Sequence, residues 1–334
     1  MKPTLRTAAR VLGLVIVAAS LIAVPASAAK KVAAKKTPAP SATIAPATTA
    51  APVVTTVQSK PSRTLKLGAI PDQDPAKLTR IYSTVATYLT DKLGVKVEYV
   101  PVTDYASAVN LFRTGDLDVV WFGGLTGTQA RLQTPGSTLL AQRDIDESFH
   151  SVFIVNTSVR VPAIASVRNL AFLKGLRFTY GSNSSTSGFL MPEYFLDQAG
   201  LNDEQDFAGT VGFSGSHDKT IDLVASGTFE AGALNEQVWK NRKAAGTVDL
   251  TKVTEVFRTP GYHDYQWQAG PKTDERFGAG FTDKLKTTIL GISSADPSGT
   301  ALLDLFGAKK FVPADAKDYG EIERIGRKLK LINY

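Results

Sequence analysis

The sequence predicts an α/β protein of two lobes, each a mixed, mostly parallel sheet flanked by helices, with a ligand cleft between the lobes. Three observations carry this reading. Short strand-like runs alternate with helical ones after residue 63, the pattern of βαβ units. Two stretches share one layout, "VNLFRTGDLDVVWFGG" (109–124) and "IDLVASGTFEAGALNE" (221–236): apolar helix end, glycine, turn, strand, then small or polar residues. Gly115 and Gly123 are eight residues apart, as are Gly227 and Asn235. Any βαβ fold produces some such likeness; as a true repeat, it puts one strand C-terminus of each lobe at a shared cleft, where α/β sheets bind ligands. Finally, "HSVFIVN" (150–156) reads as a strand leaving the first lobe, and "VTEVFRTPGYHDYQWQAG" (253–270) as two strands around a Pro-Gly break. Two crossings make a hinge, which suits closure on a ligand.

Taken in order, residues 1–28 read as a secretory signal. Lys2, Arg6 and Arg10 form a basic start, 11–24 is an apolar stretch, and Pro25-Ala26-Ser27-Ala28 offers an A-x-A cleavage site. The apolar run is short for a membrane span of about 20 residues. Residues 29–63 are rich in Ala, Pro, Thr, Val and Lys and read as a disordered linker. The chain has no cysteine, which excludes disulfides and a lipid-modified cysteine. Residues 1–60 hold 8 of the 38 Lys+Arg and none of the 31 Asp+Glu, so the rest carries 30 against 31, about −1 in place of the overall +7. The folded part therefore lacks the basic footprint of a nucleic-acid binder. It divides into a first part of lobe one (64–155), lobe two (156–261), and a return to lobe one with C-terminal helices (262–334).

Within lobe one, "LKLGAI" (65–70) is a strand; Asp74 is an N-cap with Pro75 at the first helical position. Leu78, Ile81, Val85, Leu89 and Leu93 recur at helical spacing up to Gly94. "KVEYVPV" (96–102) is the next strand, 104–114 a helix and "DVVWFGG" (118–124) a third strand.

The candidate chemistry begins at "GSNSSTSGFLMP" (181–192), where five hydroxyl side chains and an amide crowd into 182–187 before an apolar helical run. Ser185, Thr186 and Ser187 would sit where a helix exposes unpaired N–H groups and the positive end of its dipole. Such a place suits a phosphate- or sulfate-like anion. The stretch is also compatible with an ordinary serine cap, or with a loop bearing the sequon Asn183-Ser184-Ser185. Ser216-His217 opens another helix after a strand, and a histidine there can donate to an anion. Gly124, in "GGLTGTQARLQ" (123–133), lets backbone approach a ligand. The three histidines, His150, His217 and His263, all fall at predicted crossovers or strand–helix junctions. Glu236 and Asp264 join them, and Tyr105 and Tyr262 or Tyr265 add donors. No G-x-S-x-G elbow, P-loop or H-E-x-x-H pair is present, so no catalytic centre or cofactor is expected. Histidines with Glu236 and Asp264 are competent metal ligands in principle, and their spacing leaves that open.

These blocks in this order resemble the phosphonate/phosphite-binding family of periplasmic solute-binding proteins of ABC transporters. The resemblance rests on "TDYASAV", "DVVWFGG", "SFHSVFIVN", "GSNSSTSGFLMPEYF", "GFSGSHDKTIDLV", "GALNEQVW" and "TPGYHDYQW" and covers most of 64–334. It implies a type II-like binding-protein fold, an oxyanion held by Ser185, Thr186 and Ser187, and further ligand contacts from His217 and Tyr105. In members that take aminoalkylphosphonates, the positions matching Glu236 and Asp264 hold the ammonium. The chain departs from the family's "YWS" block, with Phe149-His150-Ser151 in its place, which leaves the substituent open. A subgroup sharing "GAIPDQDP", "WFGGLTG", "QRDID" and "FSGSHDKT" carries a selenate-binding label. The resemblance implies a monomeric extracytoplasmic receptor that serves a membrane permease with a separate ATPase.

Physical chemistry bears on the choice of anion. Selenate and sulfate have no proton to give a buried carboxylate, which would repel them. A phosphite or phosphonate retains a proton near neutrality, or brings an ammonium, and satisfies Glu236 or Asp264. If both acids face the cleft, a phosphorus oxyanion is expected; if they point away, selenate becomes admissible. A metal-dependent phosphate-ester hydrolase is the competing reading from another class.

Overall fold

A computed structural model describes residues 63–334; the signal and linker expectations lie outside the described residues. The chain opens with β1 (Leu65–Ala69), α1 (Pro75–Leu93), β2 (Val97–Tyr99), α2 (Tyr105–Thr114), β3 (Val119–Phe122), α3 (Gly124–Gln133) and β4 (Thr138–Arg143). It crosses to β5 (Ser151–Asn156), β6 (Phe178–Tyr180), a π-type turn at Thr186–Leu190, and α4 (Met191–Gln198). Then come β7 (Gly212–Phe213), α5 (His217–Ala225), β8 (Ala231–Asn235), α6 (Glu236–Ala244) and β9 (Val253–Arg258). The return supplies β10 (Gln266–Ala269), α7 (Thr273–Phe277), α8 (Phe281–Leu290), α9 (Pro297–Phe306), β11 (Phe311–Val312) and α10 (Gly320–Lys328).

Local chemistry explains the helix boundaries. The Asp74 carboxylate accepts from the N–H groups of Ala76 and Lys77, both at 3.0 Å, and Pro75 supplies a pre-set φ at the first position. Leu78, Ile81, Val85, Leu89 and Leu93 form the buried face of α1. Gly94 ends the helix at φ 73°, where a side chain would be strained.

Among the described residues, the strands form two sheets, ordered β11-β4-β10-β3-β1-β2 and β7-β6-β8-β5-β9. The repeated layout is a topological repeat. In lobe one, β2-β1-β3 is parallel and β10 runs antiparallel beside β3; in lobe two, β7-β6-β8 is parallel and β5 runs antiparallel beside β8. Each sheet is mixed and mostly parallel in strand direction, as expected: β4 runs with the first trio and β9 with the second, set apart from them by the antiparallel β10 and β5.

The crossings also differ in detail from the expected boundary at residue 155. β5 pairs along its length with β8 and β9, so the chain changes sheets before Ser151. At the crossing, Phe149 and Tyr262 exchange both backbone hydrogen bonds, 2.8 and 2.9 Å, and join the two connections side by side. The core of lobe one is strongly aromatic: Trp121 lies 5.1 Å from Trp267 and 5.2 Å from Phe306, ring centre to ring centre. Burial of each such ring contributes roughly 1.5–3 kcal/mol or more. The rigid support for the cleft follows from it. Among the described residues, no helix is long and apolar enough to cross a membrane.

Candidate functional site

Because each lobe contains the same βαβαβ trio, the C-terminal ends of its three parallel strands lie together. Lobe one presents Asp72 after β1, Tyr105 after β2 and Gly124 after β3. Lobe two presents Ser185-Thr186-Ser187 after β6, His217 after β7 and Asn235 at the end of β8. These junctions touch across the cleft. The Leu125 N–H donates to Thr186 Oγ1 at 3.0 Å, and the His217 N–H to the Asp72 carbonyl at 3.0 Å. Asn235 Nδ2 donates to the Tyr265 hydroxyl, which donates to Asp72 Oδ2, each at 2.8 Å. The space is tight: a Cβ on Gly123 would stand 3.2 Å from Thr186 Oγ1 and 3.3 Å from Asp264 Oδ1, so both side chains would have to give way by a few tenths of an ångström.

Around this contact lie buried polar atoms without a protein partner. They are Asp72 Oδ1, Tyr105 OH, Ser187 Oγ, His217 Nε2 and Asp264 Oδ2. Buried orphans are rare because each costs about 1–3 kcal/mol. Five around one contact, contributed by both lobes, describe a small ligand site that combines donors with carboxyl groups.

The protonation states follow from the neighbours. Burial is the largest influence on Asp264 and pushes its carboxyl up to about 7. The Gly124 N–H pulls it down, the Asp146 charge pushes it up, and the Thr186 and Ser187 hydroxyls pull it down again. Asp264 Oδ1 accepts from the Gly124 N–H at 2.9 Å. Burial likewise raises Asp72 to about 6, against the pull of Tyr265 and Arg143. His217 is pushed down to about 4 by burial, opposed by Asp218. It is therefore neutral near pH 7. Its Nδ1 accepts from the Asn235 N–H at 3.3 Å, which leaves the proton on Nε2, the unpartnered atom. A buried pair, Arg143 and Asp146, braces the wall behind. Arg143 reaches Asp146 through two contacts of 2.6 Å and lies 4.8 Å over the Tyr265 ring.

The sequence-predicted residues divide accordingly. Thr186, Ser187, His217, Tyr105 and Asp264 are brought together. Ser185 fulfils the plainer of its two readings: its Oγ accepts from the Gly188 N–H at 3.0 Å and caps the turn. Gly124 contributes through its N–H, which is spent on Asp264. Glu236 is held by two cations: its Oε2 accepts from Arg258 at 2.8 Å and Lys240 at 2.7 Å. His150 Nδ1 donates to the Thr259 carbonyl at 2.7 Å and so joins the crossing segments. His263 turns to Gln142, at 3.2 Å. Among the described residues, no three His, Asp or Glu side chains gather as a metal-ligand set. Asp72 and Asn235 were missed. The signal was available: in a repeated βαβαβ trio, Asp72 and Asn235 stand at strand ends that topology equates with the predicted ones.

The comparisons with known proteins agree with the fold. The family described as "ABC transporter, phosphonate, periplasmic substrate-binding protein" matches residues 67–319. The chain is 50% identical over 270 residues to a probable ABC transporter phosphite-binding protein, PhnD1, of Prochlorococcus marinus, covering 81% of this chain and 91% of the relative. The solved structure of PhnD1 in complex with methylphosphonate superposes with a TM-score of 0.79, covering 80% of this chain and 99% of that one. A phosphate-import protein, PhnD, of Mycolicibacterium smegmatis is 26% identical over 248 residues, 70% of this chain and 73% of the relative. Two mixed sheets around a cleft and a family match over most of the described residues lead to one statement: the chain belongs to the phosphonate-type periplasmic substrate-binding proteins of ABC transporters.

Proposed function

We propose that this chain captures phosphite or a small phosphonate such as methylphosphonate and delivers it to its membrane permease. The observation that carries the ligand class is the Asp264 carboxyl. Its free Oδ2 is buried beside the unpartnered donors, and its affinity for a proton is centred near neutrality. An anion held there by Ser187, His217 and Tyr105 must share a proton with Asp264. Phosphite and phosphonates titrate in the same range, as other phosphorus monoanions do, so ligand and carboxyl hold one proton between them. A fully ionised selenate or sulfate must take its proton from Asp264 alone. The two cations on Glu236 argue against an aminoalkyl substituent, whose ammonium would enter a neutralised site. Both walls come from one chain, which supports a monomer as the acting unit.

A thermal-shift panel tests the assignment, because ligand binding raises the melting temperature by mass action. Phosphite and methylphosphonate should give the largest shifts, with 2-aminoethylphosphonate, phosphate, sulfate and selenate smaller. No response to any phosphorus oxyanion would end this reading, and a selenate response above phosphite would replace it with the selenate one. Thr186→Val should weaken the best ligand about tenfold, since the valine leaves the buried Leu125 N–H without its acceptor and removes a hydroxyl from the site. Unchanged affinity by calorimetry would remove Thr186 from the site.

A further inference from the structure

The turn that carries Ser187 has a backbone defect, and the hinge repairs it. In the π-type turn the Leu190 N–H reaches back to the Ser185 carbonyl at 3.0 Å, and the Met191 N–H to the Thr186 carbonyl. Continued by one residue, this pattern would pair the Ser187 carbonyl with the N–H of residue 192. Residue 192 is proline and has none. The carbonyl accepts instead from the Ser151 hydroxyl at 2.8 Å, 36 residues away on the first crossing strand.

Ser151 is tied in turn to the second crossing connection. Its Oγ lies 2.7 Å from the Tyr262 hydroxyl. A carbonyl only accepts, so the single Ser151 proton goes to Ser187, and Tyr262 must donate to Ser151. The Ser151 backbone is fixed as well: its N–H donates to Thr259 Oγ1 and its carbonyl accepts from the Thr259 N–H, both at 3.0 Å. Both residues are buried, Ser151 completely and Tyr262 to 4% exposure. Tyr262 is also the residue whose backbone joins Phe149 at the crossing. A chain of two hydroxyls thus runs from the joined crossing strands to the backbone of a residue whose own hydroxyl faces the ligand site.

We propose that Ser151 and Tyr262 are positioning residues, which orient Ser187 for the anion and make its orientation depend on the hinge. They act by holding the Ser187 carbonyl, which fixes the backbone that carries its side chain. This inference rests on the anion-binding reading above. It adds that the hinge and the anion turn adopt their binding geometry together.

The test is a double-mutant cycle on the full chain with phosphite and methylphosphonate as probes. Ser151→Ala should weaken phosphite about tenfold, mainly through faster dissociation, because the buried Ser187 carbonyl loses its donor. In a Ser187→Ala background the same substitution should cost less than about twofold, since the group it positions is gone. Tyr262→Phe, which removes one oxygen, should weaken phosphite about threefold and show the same non-additivity. A residue that only supports the fold would lower affinity equally in both backgrounds. Equal losses, or wild-type affinity for Ser151→Ala, would overturn the proposal. If Ser151→Ala does not fold by circular dichroism, the Tyr262→Phe cycle decides by the same criterion. If the wild-type chain itself binds neither probe, the function assignment fails; if it binds and the cycle is additive, only the hinge coupling fails.

Discussion

Asp264→Asn should make the ligand-free protein more stable at pH 8 than the wild type, and should erase much of the difference at pH 4. The Asp264 carboxyl titrates near 3.8 when exposed and about 7 when folded, because burial disfavours its charge. Between those values the folded state holds a proton that the unfolded state has released. Stability therefore falls as pH rises through that window and stays reduced above it. A shift of this size corresponds to a few kcal/mol. Asparagine is nearly isosteric, keeps an oxygen for the Gly124 N–H and puts an amide donor where the orphan Oδ2 stands. Melting temperatures across pH 4 to 9 read the effect directly; parallel curves for the two proteins would contradict it. The same change should alter selectivity. A permanent donor needs no shared proton, so fully ionised selenate and sulfate should bind better, while phosphite loses its advantage at low pH. If the ranking of anions survives unchanged, Asp264 does not choose among them.

His217→Phe should weaken phosphite about a hundredfold while the fold persists. Two losses combine: a hydrogen bond from Nε2–H to a charged oxygen, and the acceptor that Nδ1 provides for the buried Asn235 N–H. His217→Gln keeps a donor and an acceptor on one side chain and should recover part of the affinity. The acid response should change too. Burial holds the His217 pKa at about 4, below its ordinary 6.5, so the unfolded chain takes up a proton first as pH falls. Stability is full above about 6.5 and is lost toward 4, and the phenylalanine variant should lack that part of the acid sensitivity. Calorimetric affinities that match the wild type would show that Nε2 points away from the anion.

Much of the scaffold was legible because its causes are local. Asp74, Pro75 and Gly94 bound α1 through contacts within a few residues of the helix ends. The repeated layout was legible because the same strand–helix order had to be written twice in residue types. The anion turn was half legible. Its hydroxyls announced a candidate site, but not how they divide: Ser185 Oγ caps the turn, Thr186 Oγ1 accepts from the Leu125 N–H of the other lobe, and Ser187 Oγ is left without a protein partner.

Glu236 and His150 show what position along the chain leaves open. Glu236 and His150 were placed near the site by position along the chain, and that placement was sound. Lys240, four residues on along α6, was a readable partner for Glu236; Arg258 and Thr259 were not, because they reach Glu236 and His150 from a strand and a connection more than twenty residues away. Asp72 lay inside the quoted "GAIPDQDP" block, but its residue type alone gave it no chemical role. Its importance comes from Tyr265, 193 residues later, and from His217 in the opposite lobe.

Composition and local patterning were thus sufficient for the class of molecule: two α/β lobes, a hinge, and a hydroxyl-rich turn suited to an oxyanion. They act through neighbours in the chain, and neighbours are what a sequence displays. Which carboxyl stays free and near-neutral in pKa, which is neutralised, and which histidine nitrogen carries the proton depend on burial and on partners across the cleft. Those quantities exist only once the lobes meet, because desolvation and hydrogen-bond pairing between distant segments have no counterpart in the extended chain.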